Sequence, residues 1–105
     1  MSSLGGVQGY EADAVDIRPA IVRKVLPRYP DQARRLRLEG RVTLRILIDA
    51  EGVPQSFAVH QATPAGVFEQ AALEAARQFR FSPGKVAGKG VATIVLLPFN
   101  FKPGD

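Results

Sequence analysis

Cysteine and tryptophan are absent from this 105-residue chain, and histidine and methionine occur once each. Without cysteine there is no disulfide, no thiolate nucleophile and no cysteine-bound metal. The single histidine, His60, stands mid-strand with no acidic cluster beside it, so no metal-binding or general-base constellation forms around it. None of Ser2, Ser3, Ser56 or Ser82 sits in a G-x-S-x-G setting. Asp49 and Glu51 read as turn residues rather than a catalytic carboxylate pair. No apolar run approaches the ~20 residues that cross a bilayer as a helix. The opening Met1 to Gly6 also lacks the basic and long apolar regions of a signal peptide. Residues 84–90, GKVAGKG, carry the glycines and lysines of a phosphate loop. They lack its spacing and lead into a strand, so they read as a connection. Nothing supports enzymatic chemistry, a cofactor or a metal; a binding module remains.

What is present is charge of one sign in one place. The formal net charge is +4, yet between Arg18 and Arg45 nine Lys or Arg face only two acids, Asp31 and Glu39. Such a face would attract nucleic acid or another anionic surface. A solvated surface is the plainer reading. Nucleic-acid binding also lacks its stacking platform, because Phe57, Phe68, Phe79 and Phe81 read as core.

The chain is organised around residues 41–61. Val42, Leu44, Ile46 and Ile48 recur every second residue and line one sheet face, with Leu47 as the exception. Asp49-Ala50-Glu51-Gly52 supplies turn chemistry, and Phe57 and Val59 begin a returning strand. Before this hairpin, residues 1–15 read as a flexible N-terminal segment, and 16–103 as the folded domain. Val15 to Leu26 reads as an extended stretch interrupted by Pro19. A short helix is expected from Pro30-Asp31 to Glu39, stopped by Gly40. After the hairpin, Phe68, Ala71, Ala72, Ala75, Ala76 and Phe79 fall at helical spacing. Val91 to Phe101 (VATIVLLPFNF) is the most apolar stretch and reads as a strand. Pro98 within it cannot donate to a ladder, which places the strand at an edge. The expected fold is α+β: a small antiparallel sheet of about three strands with two helices on one face. A long apolar edge invites another strand to add to it.

Tyr29-Pro30, Ala33, Leu38-Glu39-Gly40, Val42 and the Ile48-Asp49…Gly52 turn form an ordered set. Phe68-Glu69, Ala71-Ala72-Leu73 and Phe79-Arg80-Phe81-Ser82-Pro83 continue it. Together these motifs resemble the C-terminal domain of the TonB family from about Val25 to Lys102. The resemblance implies the periplasmic domain of a protein anchored in the inner membrane of a Gram-negative bacterium, hence one domain of a longer chain. It implies binding of the TonB box of outer-membrane receptors by strand addition. With ExbB and ExbD, such a protein couples the proton-motive force to uptake of siderophores and similar cargo. Two departures stand out: Leu26-Pro27 replaces the family's Gln-Pro, and Phe79 replaces its Trp.

Carried over by position, the resemblance assigns box contacts to Val91, Thr93, Ile94, Val95, Leu96 and Leu97. Leu26, Pro27 and Arg28 would flank the bound strand. Gln32, Arg34 and Arg35 would meet acidic groups on the receptor. Core packing is the competing account of each apolar position. The alternative functions are an interaction module resembling the TolA C-terminal domain, a homodimer through edge-strand pairing, or a nucleic-acid-binding domain.

Overall fold

The computed structural model describes residues 1–104. In chain order its elements are β1 (Ser2–Leu4), β2 (Val7–Glu11), a 3-10 turn (Ala12–Ala14), β3 (Ala20–Arg23) and α1 (Asp31–Arg35). There follow β4 (Gly40–Ile48), β5 (Pro54–Thr63), α2 (Glu69–Arg77), β6 (Arg80–Ser82), β7 (Gly84–Val86), β8 (Lys89–Val91) and β9 (Thr93–Phe101). The main sheet has the order β1-β2-β9-β4-β5.

Alternation in β4 builds the core. Val42, Leu44, Ile46 and Ile48 are wholly buried on one face, with Leu97, Phe99 and Phe101 of β9 beside them. Ala72, Ala75 and Ala76 of α2 close over them, because alanine lets a helix approach a sheet closely. Phe68 stacks on Phe101 at 4.4 Å, and Phe79 meets Phe99 edge-on at 5.7 Å. The expected α+β fold with two helices is present, and β9-β4-β5 is its antiparallel heart.

Several local expectations are corrected. Within residues 1–15, Ser2 to Glu11 form a hairpin, β1 on β2, and β2 pairs in parallel with β9 at Tyr10↔Thr93 and Glu11↔Ile94. The sheet is therefore mixed and five-stranded. Leu47, the residue that broke the alternation, is 1% exposed on the far face, where Gly9 packs against it. Helix α1 ends at Arg35, not Glu39. Arg37 takes a left-handed conformation (φ 53°), and the Leu38 N–H returns to the Ala33 carbonyl. Gly40 consequently opens β4 instead of stopping a helix; a Cβ there would overlap the Phe68 ring. Residues 84–90 are not a plain loop but most of a hairpin, β7 on β8, turning through Ala87 (φ 52°) and Gly88 (φ 79°). Two consecutive positive φ values suit a tight hairpin's twist. Val91 thereby ends β8 and does not belong to β9.

Candidate functional site

Pro98 decides which way β9 faces. It lies opposite Thr43 of β4. Because proline has no N–H, that pair cannot be a hydrogen-bonded one, and in an antiparallel ladder such pairs alternate. Leu97, Phe99 and Phe101 therefore bond to β4, while Leu96, Pro98 and Asn100 turn their backbone groups outward. The same parity holds upstream, where the Ala92 carbonyl accepts the Tyr10 N–H at 2.9 Å. Strand β2 occupies this outer edge only as far as Ile94. Beyond it the N–H groups of Leu96 and Asn100 and the carbonyls of Leu96, Pro98 and Asn100 have no strand beside them among the described residues.

A mostly apolar groove of about 320 Å³ runs along that free stretch. Its outer wall is Ile21, Val25, Leu26 and Pro27, and its floor includes Phe79 and Phe99. The wall is tied at both ends. Upstream, β3 pairs with β6, and the Ala20 N–H donates to Ser82 Oγ at 3.0 Å. Downstream, Tyr29 packs edge-on against Phe68 at 5.6 Å and Phe101 at 6.1 Å, and its hydroxyl donates to the Leu38 carbonyl. Between these ties Leu26 is 81% exposed, so it is free to cover an added strand. A second hollow of about 430 Å³ opens where β2 leaves the edge, lined by Glu11, Asp13, Arg18 and residues 94–96.

Electrostatics brace the surroundings. Arg45 on the outer face of β4 donates to both carboxylate oxygens of Glu11, at 3.1 and 2.5 Å. These bonds hold the Glu11 carboxyl below its usual range and raise Arg45. At the β4–β5 turn, partial burial pushes the Asp49 carboxyl up. The N–H groups of Val53 and Glu51, each 2.9 Å from Asp49 Oδ1, and Gln55 outweigh it, so the group ends below its usual range.

Of the residues assigned from sequence, Leu26 and Pro27 line the groove, and Leu96 is half exposed with its backbone outward. Thr93, Ile94 and Leu97 are buried, and the first two already pair with β2. Leu97 nevertheless lines the groove, and Ile94 borders the second hollow. Val95 is half-buried opposite Ile46, and Val91 lies on β8, off this edge. Arg28 is exposed, 3.9 Å from Asp31. Gln32 borders a separate hollow of about 310 Å³ with Leu36, Leu38 and Val67; Arg34 and Arg35 are exposed nearby on α1 and line neither it nor the groove. Sequence reasoning passed over Ile21, Val25 and Asn100. Asn100 carried a signal, as the polar residue two after Pro98 in an apolar run. The end strand β5 carries extra residues at His60 and Gln55, opposite Thr43/Leu44 and Leu47/Ile48, which make it a poor template for a long added strand.

Comparison with known proteins accords with this geometry. Residues 25–103 match the family model described as Gram-negative bacterial TonB protein C-terminal. The TonB protein of Vibrio cholerae is 40% identical over 88 residues, 81% of this chain and 35% of that protein. That of Escherichia coli is 32% identical over 82 residues, 78% of this chain and 34% of that protein. The chain thus spans about a third of the length of these relatives. The solution structure of the Pseudomonas aeruginosa TonB C-terminal domain superposes with a TM-score of 0.70 at 26% identity, covering 94% of this chain and 98% of that one. The TonB2 protein of Vibrio anguillarum gives 0.62 at 25% identity, covering 100% and 97%. The sheet, the helices and the matched span agree, and this chain belongs to the family of TonB C-terminal domains.

Proposed function

We propose that this domain is the periplasmic, receptor-binding end of a TonB-type energy transducer. It takes the TonB box of an outer-membrane receptor as an added strand on the edge of β9. The carrying observation is the unpaired outward backbone of Leu96, Pro98 and Asn100 beside an apolar groove. Backbone pairing is tolerant of side chains, so one edge serves receptors for siderophores and other cargo, while the groove selects one or two apolar residues. Each new bond adds about 0.5–1.5 kcal/mol net. Fixing a free peptide costs several kcal/mol, so backbone pairing alone gives a weak complex and apolar burial in the groove supplies the remainder of the affinity. A strand held by several parallel bonds loads them together when pulled along its axis, which suits a domain that transmits force. In this reading ExbB and ExbD act through other parts of the transducer, and no catalytic step is involved.

An NMR titration of the labelled chain with a TonB-box peptide, against a scrambled peptide, tests it. Saturable shifts are expected at Leu96 to Phe101 and across the groove at Val25 and Leu26. If those amides stay still, or if dilution shows that the edge is instead occupied by a second copy of the chain, the receptor reading fails.

A further inference from the structure

Part of the edge that a partner strand would use is already filled from within the chain. Tyr10 and Glu11 lie parallel to Thr93 and Ile94, with the Tyr10 N–H on the Ala92 carbonyl. This is the geometry of strand addition, made by the N-terminal hairpin itself. We infer that residues 2–11 are a resident stand-in for the partner strand and gate the edge. An extended peptide gains the upstream half of β9 only by displacing β2. The inference rests on the receptor reading above.

Four features fit a removable strand. The contact with β9 is two residue pairs long, whereas β4 on the other side makes nine. The hairpin carries little of the core: Val7 is exposed and β1 is short. Its polar fastening is the Glu11–Arg45 ion pair, which stands about one-third exposed and is correspondingly weak. What it covers is apolar. Leu47 and Ile94 are almost fully buried, and Gly9 lies close enough that a Cβ there would sit 3.2 Å from the Ala92 carbonyl oxygen and from Leu47 Cδ1. An apolar side chain on an incoming strand would cover Leu47 and Ile94 again, so exchange of one strand for the other is close to balanced. A self-pairing edge is also protected against joining other copies of the chain until a partner arrives.

The consequence is a measurable tax on a peptide long enough to reach Thr93 and Ile94, since its apparent affinity falls in proportion to the fraction of molecules with that part of the edge open. Two variants loosen β2 without touching residues 97–100: Gly9→Val, which wedges the hairpin off Ala92, and Glu11→Gln, which weakens the fastening. The probe is the same TonB-box peptide, titrated into the full chain and both variants, with amide signals of β4 reporting that the fold is intact. In the unaltered chain the Tyr10 and Glu11 signals should move to unstructured positions in step with binding. Gly9→Val should bind several-fold more tightly, and Glu11→Gln about two- to fivefold. Binding that leaves Tyr10 and Glu11 unmoved, with equal affinity in all three chains, overturns the gate and leaves the receptor reading standing. Absence of binding by every chain overturns both.

Discussion

At the scale of single residues, a few side chains hold the geometry by forces that can be removed one at a time. Asp49 is the clearest. Its carboxylate accepts two backbone N–H groups that the β4–β5 turn would otherwise leave unpaired. Asp49→Ala should cost about 1–2 kcal/mol in urea denaturation. The sign with pH follows from the lowered folded-state value: the contribution is complete above the ordinary carboxylate range near pH 4 and is lost as pH falls through the folded value. Asp49→Asn should therefore flatten the acid limb of the stability curve relative to the unaltered chain. Gly52 in the same turn has φ 88°, and a Cβ there would run into the Phe81 carbonyl. Its own carbonyl accepts the Phe81 N–H at 3.0 Å, so the turn is docked onto β6. Gly52→Ala should accordingly cost more than the ~1–3 kcal/mol of ordinary overpacking, read as a lowered midpoint for the whole transition.

At the scale of elements, β9 owes its role to the parity that Pro98 imposes. Only the inward groups are committed to β4, so a second proline in phase with it is tolerated by the fold and not by a partner. Leu96→Pro should lower box-peptide affinity about three- to tenfold, one lost bond, while the denaturation midpoint moves little. A large loss of stability would show that Leu96 faces β4 and would reverse the assignment of the edge. The wall opposite depends on Tyr29. Removing its hydroxyl with Tyr29→Phe frees the Leu38 carbonyl and should cost about 0.5–1.5 kcal/mol. It should also broaden the amide signals of residues 24–28 in the free domain, because the ring contacts remain and the directional tie does not.

At the scale of the whole molecule, stability is unevenly spread. Strand β4 is paired on both sides and sealed by α2, whereas the N-terminal hairpin rests on two β9 pairs, the packing of Gly9 on Leu47 and a partly exposed ion pair. Hydrogen exchange should follow that order: amides of β1 and β2 exchange first through local opening, and those of β4 last, through global unfolding. Equal protection in β2 and β4 would mean that the hairpin is an integral part of the core.

How far the sequence reached depends on whether a feature is local or relational. Alternation through Val42, Leu44, Ile46 and Ile48, helical spacing from Phe68 to Phe79, and Asp49 with Gly52 in a turn are local. Each is settled by chain period and backbone sterics, and each was legible. Pro98 marked β9 as a strand with an open side, because a missing N–H is a property of the residue itself. Yet β9 lies inside the sheet and only its downstream half is open, since β2 pairs at Thr93 and Ile94. The odd position of Leu47 was visible, but its cause was not, since the hairpin that covers it lies some forty residues upstream. Gly40 misled because a glycine after a helical pattern and a glycine beneath an aromatic ring look the same in one dimension. The N-terminal strands carry no periodic signal, because β2 gains its pairing from an edge that exists only once β9 has docked on β4. Local pattern was enough for β4, β5, α2 and β9, and for the gap that Pro98 leaves in one side of β9. Tertiary structure decided how much of that edge stays open, because pairing between distant segments depends on which groups the folded sheet leaves unpaired.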